Sequence, residues 1–269
     1  MTMSKSMPAT GHKPTIVIKL GGSMIDQLTD SFYASFQNIL HHYNCIIVHG
    51  GGPAITNLLS RLNIEGEFHE GLRKTTPETL EVVEMILGGK VGAQITSELT
   101  KQGIDAISLK GSEASLLMCT YMDKENLGLV GKVDKVTPDI LLHSLRSGYV
   151  PVVAPFGKTG DLQTVNINAD VAASAIAKAV GAEKLLYVTD VPGILVNDEM
   201  VSMITPEEID VMIDAGTIYG GMIPKVRSAM ETLSDHLEEV WIVSGEQALM
   251  EGDKIKGTSI RAKRKERVE

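Results

Sequence analysis

The sequence predicts an α/β protein in which a central, mainly parallel sheet lies between two layers of helices. Six short β-branched runs recur along the chain, and each is followed by a turn or a helix-length amphipathic segment. Apolar residues make up 43% of the 269 residues, enough for a substantial core. Glycines cluster after these runs, at the end of a parallel sheet where ligands bind.

The predicted elements follow in chain order. The expected strands are TIVIKL, CIIVHG, DAISLK, YVPVVAP, KLLYVTD and EEVWIV. A long helix is predicted over residues 77–101, because Pro77 suits a first turn and Gly103 suits a helix end. Residues 111–136 contain short alternating runs and turns, which predict an antiparallel β-hairpin region inserted at the sheet edge. Another helix is expected to begin near Ala169.

One domain with two lobes fits this order of elements better than two independent domains. We expect a flexible N-terminal segment over residues 1–14, a single domain over 15–260 and a basic tail over 261–269. The lobes would divide in the loop FGKTGDLQTVNINAD, giving an N-lobe of about 15–165 and a C-lobe of about 166–260.

Composition excludes several functional classes. The net charge of −9 argues against a general nucleic-acid surface, and the basic tail RAKRKERVE is interpreted as a solvated end. Cys45 and Cys119 lie in apolar stretches without a metal-binding pattern, which predicts a reduced protein without structural zinc. No apolar run reaches the roughly 18 residues of a membrane span, and no secretory signal is present. We therefore expect a cytoplasmic protein that binds neither membrane nor nucleic acid.

The glycine clusters suggest an anion site. They are Gly21-Gly22, Gly50-Gly51-Gly52 and Gly220-Gly221. The first two are predicted to follow a strand and open a helix, so that backbone N–H groups point into one space. Tight turns are the plainer interpretation of each pair. Neither G-x-G-x-x-G nor a Walker loop is present, so a nucleotide would have to bind by another design.

Three charged residues occupy positions where a charge is costly to bury or has no obvious structural purpose. Lys19 ends a β-branched strand, Asp170 opens an alanine-rich helix and Lys225 follows the third glycine cluster. Each has an ordinary structural explanation: a snorkelling lysine, a helix cap and a solvated lysine. Together they fit a phosphoryl-transfer site in which two lysines neutralise the transferring group and the aspartate between them holds both. A carboxylate acceptor would need no general base.

Other polar residues near this end of the sheet are candidates for substrate contacts. Arg73, in the loop EGLRKTT, could clamp a substrate carboxylate with its planar fork. Asn166 and Asn168 flank the same region and offer amide groups without charge. His49 precedes the glycine triplet, and we interpret it as a hydrogen-bonded histidine at a strand end.

At this point the motifs resemble a known family. KLGGS, VHGGGPAITNLL, GLRKT, VNINADVAASAIA, VTDVPGI and GGMIPKV occur in order over nearly the whole chain. Together they are similar to the acetylglutamate kinases of the amino-acid kinase superfamily. KLGGS and TDVPG are shared across the superfamily, whereas the combination of HGGGP, GLRKT and NINAD is more specific.

The resemblance implies a three-layer α/β/α fold of the carbamate kinase type and an activity. ATP, with Mg²⁺, would phosphorylate the side-chain carboxylate of N-acetyl-L-glutamate in arginine biosynthesis, and the protein would be a homodimer. No protein metal site is implied. By motif, the resemblance assigns catalysis to Lys19, Lys225 and Asp170, substrate binding to Gly51, Gly52, Arg73 and Asn166, and ATP binding to Gly21, Gly22, Asp190 and Gly221.

Departures from the family pattern leave alternatives open. The segment LKGSEAS, residues 109–115, replaces the usual S-G-K-D-G, and GKVGAQ stands where K-V-N-K is common. A related kinase acting on another N-blocked amino acid, such as an aminoadipate, and a non-catalytic metabolite sensor are the alternatives. A nicotinamide-dependent oxidoreductase is disfavoured by the missing fingerprint. Only 14 residues precede Thr15, and they include Pro8 and Pro14. We therefore expect no long N-terminal helix. Family members that arginine inhibits resemble each other in carrying such a helix, so the resemblance implies little inhibition by arginine and a dimer rather than a ring.

Overall fold

Strands and helices alternate along most of the chain. The computed structural model describes residues 13–196, 199–234 and 237–262. The helices are α1 (Asp30–His42), α2 (Gly52–Arg61), α3 (Pro77–Val83), α4 (Gly92–Lys101), α5 (Asp139–Arg146), α6 (Ala169–Ala179), α7 (Pro206–Asp214) and α8 (Met222–Thr232), with a π-helix at Glu84–Val91 and a 3₁₀ turn at Glu113–Ser115. The strands are β1 (Thr15–Leu20), β2 (Asn44–His49), β3 (Phe68–His69), β4 (Leu72–Arg73), β5 (Ala106–Lys110), β6 (Leu117–Tyr121), β7 (Gly131–Val136), β8 (Val150–Ala154), β9 (Phe156–Lys158), β10 (Thr164–Asn166), β11 (Lys184–Thr189), β12 (Leu195–Val196), β13 (Glu199–Met200), β14 (Met203–Ile204), β15 (Glu239–Ser244), β16 (Met250–Glu251), β17 (Lys254–Ile255) and β18 (Thr258–Arg261).

An eight-stranded sheet forms the centre of the fold. Its strand order is β14-β18-β15-β11-β1-β2-β8-β5. The six predicted strands are all present and pair with one another in parallel. Among the described residues of this sheet, only the pairing of β15 with β18 is antiparallel. The predicted mainly parallel α/β/α architecture is therefore confirmed.

Alternation along β1 shows that helices cover both faces of the sheet. Ile16, Ile18 and Leu20 belong to a core shared with α1, α2 and α3. Val17 belongs to a second core, on the opposite face, shared with α5, α6, α7 and α8. Side chains of a strand alternate between faces, so Lys19 lies on the same side as Val17, toward α6. The strand pattern thus determines which helix the lysine meets.

The long helix predicted over residues 77–101 is present with one irregularity. Thr76 caps it by accepting a hydrogen bond from the Thr79 N–H, Pro77 occupies the first turn, and Gly103 follows it at φ +72°. Between α3 and α4, the eight residues 84–91 form a π-helix. Such segments are rare and often lie near functional sites. This one keeps Leu87 against Gly51, in the second glycine cluster.

The predicted hairpin region forms, but its location was predicted wrongly. β6 and β7 pair antiparallel. They belong to a separate four-stranded sheet of order β10-β9-β6-β7, not to the edge of the central sheet. The reason is that β9 leaves the central sheet directly after β8 and pairs with β6 at Met118 and Lys158.

The first glycine cluster also differs from expectation. α6 begins at Ala169 as predicted, with Asn168 as its cap. α1, however, begins only at Asp30, where Thr29 supplies the capping oxygen. Gly21 and Gly22 therefore lie in a turn region that precedes the helix by several residues, because the first good capping position comes at Thr29.

Three further expectations remain open. The division into lobes near residue 165 stays a prediction. Residues 1–12 and 263–269, which hold most of the expected flexible segment and basic tail, lie outside the described residues. Among the helices of the described ranges, none combines the length and apolar character needed to cross a membrane.

Candidate active site

The carboxyl ends of the central strands bring the predicted charges to one edge of the sheet. Lys19, near the end of β1, pairs in register with Val48 of β2 and Tyr187 of β11. Its Nζ lies 2.8 Å from Asp170 Oδ1, and its side chain is 16% exposed. The Nζ also lies 5.9 Å from the centre of the Tyr187 ring. A mostly buried ammonium group is thus stabilised by a carboxylate at the start of α6.

The second lysine has a different partner from the one expected. Lys225, in the first turns of α8, forms an ion pair and hydrogen bond with Asp190. That hydrogen bond holds the pKa of Asp190 below its usual range. The expectation that Asp170 holds both lysines is therefore not met in this structure. Asp190 directly follows β11, so its carboxylate reaches α8, whereas Asp170 meets the lysine on the neighbouring strand.

The first two glycine clusters lie against each other. A Cβ added to Gly22 would stand 2.5 Å from the Gly51 nitrogen and 2.7 Å from the Gly52 nitrogen. The Gly50 N–H donates to Leu20 O at 2.9 Å. Only glycine permits this approach, because any side chain at residue 22 would overlap main-chain atoms. The turn after β1 and the start of α2 therefore form one surface of backbone groups.

Open space surrounds Gly52, Gly220 and Gly221. A Cβ on Gly52, the first residue of α2, would have no heavy atom within 4 Å, and the same holds for Gly221 before α8. Gly220 adopts φ +57°. Gly21 lies on the other side of the turn, where its Cβ would be 3.3 Å from Val188 O. Two helix N-termini are thus accessible to an anion at this edge.

Arg73 carries the clearest sign of a missing partner. Its Nη2 donates to Gly52 O at 3.2 Å and to Thr56 Oγ1 at 2.8 Å. Its Nη1 is buried and has no hydrogen-bond partner among the described residues. Burial lowers the pKa of the guanidinium, although an arginine stays charged in proteins. A buried cationic N–H without an acceptor is costly, which makes this atom suited to an anionic ligand.

The two predicted asparagines have different structural roles. Asn166 Nδ2 donates to Thr75 Oγ1 at 3.2 Å, two residues beyond Arg73. Asn168 Oδ1 accepts from the Asp170 N–H at 2.8 Å and so fixes the start of α6. Asn166 is near the Arg73 segment, whereas Asn168 positions the aspartate that pairs with Lys19.

Histidine and cysteine chemistry is not supported at this edge. His49 is fully buried, and its Nδ1 lies 3.0 Å from Gly50 O, as interpreted from the sequence. Burial lowers the pKa of His49 to about 4, so its ring is neutral at pH 7. Cys45 and Cys119 are buried free thiols, and burial raises the pKa of Cys119 to about 11.

Sequence reasoning missed three residues of the site. Thr56 holds Arg73, Phe68 stacks on it with 4.6 Å between its ring centre and the Arg73 Cζ, and Tyr187 lies beside Lys19. A signal existed for Thr56, which lies four residues after Gly52 and so on the same face of α2. Phe68 could have been identified only if the hairpin of β3 and β4 had been predicted.

Comparisons with known proteins identify the family of this chain. The model of the Amino acid kinase family matches residues 14–244. An acetylglutamate kinase of Bacillus licheniformis is 45% identical over 255 residues, which cover 94% of this chain and 98% of that protein. An acetylglutamate kinase of a Geobacillus species is 48% identical over 248 residues, or 92% of this chain and 96% of that protein.

Solved structures indicate the same fold. A protein of Streptococcus mutans superimposes with a TM-score of 0.79 at 31% identity, covering 92% of this chain and 98% of that one. The carbamate kinase of Giardia gives a TM-score of 0.65 at 16% identity over 94% of this chain and 100% of its own, which shows a common fold alone. The resemblance inferred from the motifs is confirmed. The chain therefore belongs to the amino acid kinase family and, within it, to the acetylglutamate kinases.

Proposed function

We propose that this protein transfers the γ-phosphoryl group of ATP to the side-chain carboxylate of N-acetyl-L-glutamate, a step of arginine biosynthesis. The observation that carries the proposal is the buried Nη1 of Arg73, which has no partner among the described residues. It lies beside the surface of backbone groups formed by Gly22, Gly51 and Gly52. Gly52 links the two, since its carbonyl accepts from Arg73 and its nitrogen lies against Gly22. A substrate carboxylate at Arg73 would thus lie close to the lysine that ends β1. The curated relatives supply the identity of the acceptor.

The chemistry requires charge neutralisation more than proton transfer. One oxygen of the substrate's side-chain carboxylate attacks the γ-phosphorus, the bond from that phosphorus to the β-phosphate oxygen breaks, and ADP leaves. The carboxylate is already ionised at pH 7, so no general base is needed. This fits the neutral, buried state of His49. Lys19 and Lys225 would stabilise charge on the transferring oxygens, and Asp170 would keep the Lys19 ammonium group oriented.

The two lysines would approach the phosphoryl group from different elements. Lys19 comes from β1, and Lys225 from α8, whose accessible N-terminus at Gly221 would receive ATP phosphates. Asp170 would keep Lys19 oriented, whereas Asp190 would hold Lys225 only until ATP binds. We expect Lys225 to exchange its contact with Asp190 for phosphate oxygens when ATP binds.

Magnesium would enter with the nucleotide. In the described ranges, His, Cys, Asp and Glu form no group of three or more with metal-binding geometry. Mg²⁺ is commonly held by substrate phosphates and waters with one or two carboxylates. Asp190, the more exposed of the two site aspartates, is the residue placed to approach it. Bound there, Mg²⁺ would neutralise phosphate charge.

A homodimer and a cytoplasmic location are also part of the proposal. β5 is an edge strand of the eight-stranded sheet, and the π-helix contacts it. Ile107 on β5 is 38% exposed and Met85 on the π-helix is 59% exposed. Apolar groups on an open sheet edge favour pairing with a second copy. Mass measurement in solution tests this, and Ile107→Asp should give monomers if the edge is the interface.

A hydroxamate-trapping assay tests the proposed reaction. The protein is incubated with ATP, Mg²⁺ and hydroxylamine, and with N-acetyl-L-glutamate, N-acetyl-L-aspartate or N-acetyl-L-aminoadipate as acceptor. We expect product with N-acetyl-L-glutamate at the highest kcat/KM. A preference for the aminoadipate would contradict the acceptor assignment and favour the related kinase, and binding without turnover of any acceptor would favour a metabolite sensor.

A further inference from the structure

The hairpin of β3 and β4 contains an exposed aromatic ring directly opposite the arginine of the site. Phe68 and Arg73 are cross-strand partners in this two-stranded pair. The turn between them contains Glu70 at φ +48° and Gly71 at φ +80°, both in the left-handed region used by tight hairpins. The ring centre lies 4.6 Å from the Arg73 Cζ, within the range of a cation–π contact.

This ring is poorly placed to stabilise the core. Phe68 is 59% exposed, and both residues of β3 are exposed. A two-stranded hairpin with an exposed face has little stability of its own. The contact that the structure does show for this ring is with the Arg73 guanidinium.

The hydrogen bonds of Arg73 hold only one end of its fork. Both hydrogen bonds come from Nη2, to Gly52 O and Thr56 Oγ1. Gly66 passes close to the other end, where an added Cβ would be 3.4 Å from Nη1. The Phe68 ring packs against the guanidinium and restricts its movement. A bidentate contact to a carboxylate requires that plane to be correct.

We propose that Phe68 is a positioning residue for substrate recognition: its ring orients the Arg73 guanidinium so that Nη1 meets a carboxylate of the acyl-amino acid. The inference rests on the proposed function, in which Arg73 binds that carboxylate. The short hairpin thereby becomes part of the acceptor site, although Phe68 itself contacts no reacting atom. Its effect is confined to binding of the acceptor.

Steady-state kinetics on the full chain test the proposal with Phe68→Ala, Phe68→Leu and Phe68→Tyr. A cation–π contact at an exposed site stabilises by about 0.5 to 1 kcal/mol, and each 1.4 kcal/mol is tenfold in affinity, so we expect Phe68→Ala to raise KM for N-acetyl-L-glutamate roughly two- to fivefold. The KM for ATP and kcat should stay within about twofold, because the nucleotide end is untouched. Phe68→Tyr should restore KM, and Phe68→Leu should not, since it keeps bulk without a π face.

Control variants separate this inference from the proposed function. Leu62→Ala removes another exposed apolar side chain, 50% exposed, and should leave all constants unchanged. Arg73→Lys should raise KM for N-acetyl-L-glutamate by more than Phe68→Ala does, and adding Phe68→Ala to it should have little further effect. Arg73→Lys without effect would overturn the proposed clamp. A raised KM in Arg73→Lys with normal KM in Phe68→Ala, or full rescue by Phe68→Leu, would overturn the role of Phe68 alone.

Discussion

A methyl group at Gly22 should disturb the site more than its size suggests. The added Cβ would stand 2.5 Å from Gly51 N, 2.7 Å from Gly52 N and 2.9 Å from Gly51 Cα. Ordinary contacts of such atoms begin near 3.5 Å, so the two loops must separate by on the order of 1 Å. Because the neighbours are main-chain atoms, no side-chain rotation relieves the overlap. Overpacking of this kind costs about 1 to 3 kcal/mol of stability.

The effect on turnover should be larger than the effect on folding. Displacing catalytic groups by about 1 Å lowers rates on the order of 100-fold, so Gly22→Ala should lose about that factor in kcat in the hydroxamate assay. Thermal unfolding measures the stability change in parallel. Gly160→Ala is the matched control, since its Cβ would meet no heavy atom within 4 Å. If Gly22→Ala keeps both its melting temperature and its kcat, the two loops do not meet as described.

Three further predictions concern charge, protonation and backbone strain. Lys225→Ala should lower kcat about 100-fold by removing one preorganised charge donor, while Lys101→Ala, on an exposed helix end, should not; an unchanged rate would show that Lys225 lies outside the site. Because burial lowers the pKa of His49 to about 4, the folded state binds fewer protons than the unfolded state between pH 6.5 and 4. Stability should therefore fall as pH drops, by about 2 kcal/mol from pH 7 to 5 in urea unfolding, and His49→Gln should reduce that slope; parallel curves would contradict this. Ala114 has φ 50° and ψ 27°, so Ala114→Gly should stabilise by about 1 kcal/mol, whereas Ala215→Gly, at φ −76°, should destabilise; calorimetry giving the reverse order would remove the strain argument.

Local sequence patterns predicted the main strands and helices. They also predicted the edge of the sheet at which the candidate site lies. The runs ending at Leu20 and His49 are strands because β-branched residues alternate there between two buried faces. Pro77 and Ala169 begin helices because the residues before them, Thr76 and Asn168, supply capping oxygens. These signals depend on neighbours within a few positions, so they can be recognised from the sequence alone.

Contacts between distant segments were decided only by the tertiary structure. Lys225 pairs with Asp190 rather than Asp170 because the end of β11 lies nearer to the start of α8, a distance that no spacing in the chain encodes. The four-stranded sheet depends likewise on where β9 leaves β8. The sequence by itself determined which residues are charged, which are apolar and which glycines allow two backbone segments to approach closely. Which charge meets which, and that Phe68 covers Arg73, followed from packing, since side-chain contacts depend on separations of a few ångströms across the fold.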